Sequence, residues 1–204
     1  MSDLPIALGT ELDVRLAAAL DIEGKIPRAF AALGPIDGRD VLLLDADGPI
    51  REGELAELGA RVTALQTSGP AVRPPGHAFD AVVSCWSRFR DASPADLVEA
   101  ERVLRPGGRL LVLHDYGRDD VSTLRGMDLP EYAKWSRPNG WFLRNGFKVR
   151  VIHCWWTFES IEAATDFLGS AFGAPGTTLG QGLRRPRLSY NIAIYHRTFG
   201  PPAA

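Results

Sequence analysis

His114 and Asp115 close the apolar run Arg109-Leu110-Leu111-Val112-Leu113, and Tyr116, Gly117, Arg118, Asp119 and Asp120 follow them. A carboxylate beside an imidazole suits proton transfer, so Asp115 is a candidate general base with His114 nearby. The structural alternative makes His114 a packed strand residue and Asp119 or Asp120 the cap of the next helix. Cys85, His114, His153 and Cys154 are metal-ligand types, yet their spacing matches no structural-zinc pattern and core packing accounts for them. Trp86, Trp155 and Trp156 can line an aromatic substrate pocket or pack in the core and at its rim. Arg184, Arg185 and Arg187 form a small basic loop, either solvated or aimed at an anion.

The elements that must position these residues alternate between strand and helix. Residues 10–21 and 25–33 read as two short helices, and Pro27 falls where a missing N–H is tolerated. The continuous apolar run at 41–45 is the signature of a strand covered on both faces. A helix at 50–58, a strand at 61–65 and a turn-rich stretch at 67–77 come next. Another buried strand spans 79–84, and Ser93-Pro94-Ala95-Asp96 opens a helix with an N-cap serine and proline at its first position. Arg105-Pro106-Gly107-Gly108 stops that helix before a fourth strand at 109–114. Short helices are expected at 120–125, 130–135 and 141–144. A long strand follows at 147–158, with Lys148 and Arg150 facing away from Val149 and Val151, and His153 sharing their apolar face. An amphipathic helix at 160–172, a Gly-rich loop and a last strand at 188–198 complete the chain. The alternation implies α/β architecture, a doubly wound and mostly parallel Rossmann-like sheet.

The 204 residues are 45% hydrophobic and 24% charged, which suits a single domain with a sizeable core. Within it, 1–37 holds N-terminal helices, 38–198 the α/β core and 199–204 a tail. A formal net charge of −2 gives no electrostatic reason to expect nucleic acid or an anionic membrane as the main partner. Two cysteines without a CxxC pair, no basic and apolar leader, and no bilayer-length apolar run make a cytoplasmic location the expectation.

Residues 79–117, FDAVVSCWSRFRDASPADLVEAERVLRPGGRLLVLHDYG, resemble the class I S-adenosylmethionine (SAM) methyltransferases. The stretch Val103 to Leu110 matches that family's "VLRPGGRL" turn in every position, and the likeness of element order runs from Gly38 to Thr198. The resemblance implies a ligand outside the carboxyl ends of the strands, where strand order reverses. It also implies that the strands led by Asn145-Gly146-Phe147 and by Ser189 to Tyr195 form an antiparallel edge pair. The family's Gly-rich turn after strand one aligns with Asp45, Asp47 and Pro49, and only Gly48 remains, out of register. The acid that takes the ribose hydroxyls aligns with Gln66. Ser84 and Cys85 fall on further cofactor positions of the family, with Trp86 and Tyr116 on the substrate side. Only twelve residues separate Gln66 from Phe79, whereas a helix and third strand need about twenty-five. A sheet of six strands with a vestigial or missing third strand, at 71–73, is the consequence.

Two readings follow from the resemblance. In one, the SAM pocket is lost and the chain is a catalytically silent binding, regulatory or scaffold subunit for a protein partner, with an apolar patch where the missing helix would cover the sheet. In the other, the chain is an active small-molecule methyltransferase that holds SAM through Asp45, Asp47 and Gln66, beside a cleft lined by Trp86, His114 and Tyr116.

Overall fold

The computed structural model describes residues 3–46, 48–66, 73–90, 93–126, 135 and 137–200. Six strands form one sheet: β1 (Asp40–Leu44), β2 (Arg61–Leu65), β3 (Phe79–Cys85), β4 (Leu104–Asp115), β5 (Lys148–Thr157) and β6 (Arg187–Thr198). Their order is β2-β1-β3-β4-β6-β5. The first four are parallel, and β6 runs antiparallel to both β4 and β5. The strand order reverses between β1 and β3, so the crevice at their carboxyl ends is the switch point of the sheet.

Period-two alternation divides the strands between two cores. Val41, Leu43, Val83, Leu111 and Leu113 face α1 (Thr10–Ala19), α2 (Lys25–Leu33), α3 (Pro49–Glu57) and α7 (Ile161–Gln181). Leu42, Val82, Leu110 and Val112 face α4 (Pro94–Val103) and α6 (Trp141–Arg144). Both faces of β1 are therefore buried, which is why its sequence is apolar without alternation. The short helix α5 (Asp120–Arg125) starts with a capping box between Asp119 and Ser122. At the amino ends of the strands, Arg105 bridges Asp40 at 2.9 Å and Asp80 at 2.7 Å, while Arg61 holds Asp40 at 2.7 Å. Arg61 first and then Arg105 pull the Asp40 carboxyl down to about 2.

Several sequence expectations need correction. The Arg105-Pro106-Gly107-Gly108 turn does not lie outside the strand: β4 already begins at Leu104, and its register with β3 shifts across the turn, from Phe79–Leu104 to Ala81–Arg109. Gly107 has a φ of 81° there, a conformation that favours glycine. The buried face of β5 is the one carrying Cys154 and Trp156, which pack into the core beneath α1, α2 and α7, and His153 on the other face is exposed. The Gly-rich loop is instead a second helical segment of α7. The chain reverses at Gly173, with φ 65°, and Pro175 opens the return. Gly176 then lies against the Leu168 carbonyl and Gly180 against the Thr165 backbone, spots where any Cβ would collide. Residues 73–78 are neither helix nor strand, and residues 71 and 72 lie outside the described residues, as do 130–134 of the helix expected at 130–135. No apolar patch marks the flank beyond β2 among the described residues: Arg61 and Thr63 are exposed there, and Leu65 is half-buried.

Candidate functional site

At the end of β1 the chain turns through Asp45, which has a left-handed φ of 52° and is buried. Its two carboxylate oxygens share the Nε–H of Arg88, each at 3.1 Å. Arg88 lies in the loop after β3, so this ion pair crosses the switch point. Its backbone is clamped on both sides: its N–H donates to the buried Ser84 hydroxyl at 3.2 Å, and its carbonyl accepts from His114 Nε2 at 3.0 Å. The same loop holds Trp86 at φ 49° and Phe89 at φ 67°, two bulky residues in a conformation they rarely adopt. Ser84, a cofactor position by resemblance, thus holds the loop.

Gly48 is the N-cap of α3, and Asp3 supplies the cap that glycine lacks. The Asp3 carboxylate accepts from Ile50 N–H at 2.9 Å and from Arg51 N–H at 3.2 Å. It rests where a Cβ on Gly48 would stand, so a side chain there would have to displace the Asp3 carboxylate. A carboxylate at the first amides of a helix is favoured by the dipole as well as by the hydrogen bonds. Arg51 is 2% exposed; it donates to Glu54 and to the Asp3 carbonyl, and its guanidinium lies 5.3 Å from the centre of the Trp86 ring. Burial raises the Glu54 carboxyl against the pull of Arg51. Asp47 lies outside the described residues, and Gln66 is exposed just beyond β2.

At the end of β4 the candidate pair separates. Successive strand residues point to opposite faces, so His114 and Asp115 are divided by the sheet. Asp115 is buried and accepts from Trp86 Nε1 at 3.2 Å, from the Tyr190 hydroxyl and from Arg125 at 2.6 Å. Its lone pairs are engaged in holding β3, β6 and α5 together. His114 lies on the other side among aromatic rings, 4.6 Å from Trp135 and 6.2 Å from Phe142 between centroids. A carbonyl can only accept, so the bond to Arg88 fixes the proton on Nε2. His114 Nδ1 is left buried with no hydrogen-bond partner among the described residues. Desolvation first, and the Arg90 charge second, bring the His114 imidazole down to about 3.

Trp86 packs in the same core as Asp115, whereas the half-buried Tyr116 packs on the His114 side, so Trp86 does not line one cleft with His114 and Tyr116. Cys85 is fully buried, with its thiol pushed up to about 12 by desolvation. Burial, with the nearby Asp21 charge, pushes the Cys154 thiol up as well. No group of three or more metal-ligating side chains occurs among the described residues. Trp156 is core, and Trp155 is half-buried beneath the Arg187 guanidinium, 4.1 Å from its ring centre. Sequence reasoning singled out neither Arg88 nor Asp3. No spacing signal joins them to Asp45 and Gly48, because they meet only through sheet order and the path of the chain before α1.

No protein-family model matches the sequence, and no curated protein is similar to it. Solved structures do resemble the fold. A chain assigned as a methyltransferase from an antibiotic biosynthesis pathway of Anabaena variabilis aligns with a TM-score of 0.55 at 14% identity, covering 86% of this chain and 97% of that one. A chain assigned as a type II methyltransferase from Anaeromyxobacter dehalogenans gives 0.54 at 17% identity, over 87% and 96%. A SAM-dependent methyltransferase from Aquifex aeolicus gives 0.50 at 14% identity, over 92% and 93%. Six strands in this order among the described residues, with an antiparallel pair at one edge and helices on both faces, broadly match the Rossmann-like class I SAM methyltransferase fold. No helix among the described residues is long and apolar enough to cross a membrane.

Proposed function

We propose that this chain uses the methyltransferase fold without holding SAM in the pose the fold implies, and that it serves as a binding or regulatory subunit. The observation that carries this reading is the occupancy of the turn after β1 by the protein's own charged groups. Asp3 seats its carboxylate on the first amides of α3 and over Gly48, and the Asp45–Arg88 pair spans the crevice from β1 to β3. A methionine moiety approaching that turn would meet the Asp3 carboxylate with its own and would have to displace the Asp45–Arg88 pair. Asp115, the candidate base, is engaged by three donors and buried, so it is not placed to take a proton from a substrate.

Calorimetric titration with SAM and with S-adenosylhomocysteine tests this reading. No heat and no thermal shift at millimolar ligand is the expected outcome. Low-micromolar binding of either ligand would overturn it in favour of an active small-molecule methyltransferase, with Asp45, Gln66 and Asp115 as the residues to vary first.

A further inference from the structure

β5 is an edge of the sheet. One side pairs with β6 from Lys148–His196 to Thr157–Arg187. On the outer side, among the described residues, the only backbone contacts are a bridge from Leu20 to Trp156 and the bond from Asp21 N–H to the Trp155 carbonyl. The Lys25 ammonium covers the His153 carbonyl at 2.9 Å. From Lys148 to Ile152 no strand adds to that outer side among the described residues.

The open stretch of this edge carries charge of one sign. Lys148 and Arg150 lie on it with no carboxylate, and the neighbouring β6 adds Arg187 and Arg197 and no carboxylate, in a chain whose formal charge is −2. Lys148 and Arg150 are exposed, and Val149 between them is 37% exposed. At the far end Arg187, Arg28 and Lys25 surround Glu23, which is the acid they act on. An open edge is a template for another strand, and cations on it are a common guard against self-pairing. Here a second copy would bring Lys148 and Arg150 against the same cations. The repulsion that excludes a copy becomes attraction toward a strand of opposite charge.

We propose that the β5 edge binds an extended acidic segment of a partner protein by strand addition. Open amides and carbonyls of β5 supply the ladder, Lys148 and Arg150 meet alternating acidic side chains, and Val149 receives an apolar one. An extended peptide fits better than a nucleic acid, because a backbone edge is complementary to another backbone and the chain as a whole is not basic. The inference rests on the reading of the chain as a binding subunit and supplies the chemistry of its partner.

The test uses the full chain and a fluorescein-labelled peptide alternating Glu with Val, read by anisotropy. Saturable binding that weakens with salt is expected. The Lys148→Glu/Arg150→Glu variant should lose about tenfold or more in affinity, and Lys148→Gln/Arg150→Gln less than that. N-methylating the peptide's ladder amides should abolish binding. Thermal unfolding confirms that these surface variants fold. The proposal is overturned if the peptide does not bind, if both double variants bind as the parent does, or if the N-methylated or Lys-for-Glu peptide binds equally. A uridine oligomer that binds while the Glu peptide does not overturns it in favour of RNA. SAM titration of the same sample separates the two claims, since SAM binding would overturn the proposed function and leave the edge result standing.

Discussion

Protonating His114 should be the dominant acid weakness of this fold. Its imidazole is fully enclosed, donates through Nε2 to Arg88, and presents Nδ1 to aromatic rings with Arg90 nearby. In the unfolded chain the group titrates near its ordinary value of 6.5, and in the folded protein near 3. Between those values the unfolded state binds the extra proton, so stability rises with pH across that window and is flat, for this group, above about 6.5. Each pH unit corresponds to about 1.4 kcal/mol, so the full window amounts to about 5 kcal/mol, comparable with the whole stability of many domains. Urea denaturation of the parent and of His114→Gln, measured from pH 4 to 8, isolates this contribution. Carboxylates and His196 contribute equally to both proteins and cancel in the difference. The parent should lose stability relative to the variant as pH falls below about 6.5, at a slope approaching 1.4 kcal/mol per unit. Parallel profiles would refute the argument that a buried, neutral His114 is what the fold requires.

Three more predictions follow from the packing. Gly176→Ala and Gly180→Ala should each destabilise by about 2 kcal/mol despite the better helix propensity of alanine, because a Cβ there meets the facing segment of α7. Gly53→Ala in α3, with nothing within 4 Å, should stabilise by about 0.5–1 kcal/mol, and thermal melts compare all three. Cys85 and Cys154 should resist a thiol reagent in the native protein at pH 8 and both react in urea, since each is buried with a raised pKa; rapid native labelling would contradict this. Asp115→Ala should cost about 3 kcal/mol by leaving Arg125, Trp86 and Tyr190 without their shared acceptor, and Tyr190→Phe about 1–2 kcal/mol, both read by urea denaturation.

Much of the fold was legible because each strand and helix carries its own period. The run at 41–45 and the Ser93-Pro94 start fall where the sequence places them, within a residue or two, and the last two strands pair as the family resemblance implies. The short spacing between Gln66 and Phe79 likewise announced a sheet of six strands. The second limb of α7 is not legible in the sequence because Gly173, Pro175, Gly176 and Gly180 have loop composition. Their spacing of four between Gly176 and Gly180 was the available sign of close helix contact. The outward face of β5 is not legible either, because hydrophobicity alone does not say which face of a strand the helices cover.

The site divides in the same way. Sequence by itself determined which residues stand at the strand ends, since strand boundaries are local: Asp45, Ser84, Cys85, His114 and Asp115 all lie there. Only the tertiary structure decided what those residues do. Alternation across β4 sends His114 and Asp115 to opposite cores, and the sheet order brings Arg88 across 43 residues to Asp45. The path before α1 likewise sets Asp3 on the α3 amides. Local sequence encodes periodicity and propensity. Which charge meets which depends on contacts between segments far apart in the chain, and those exist only once the sheet has formed.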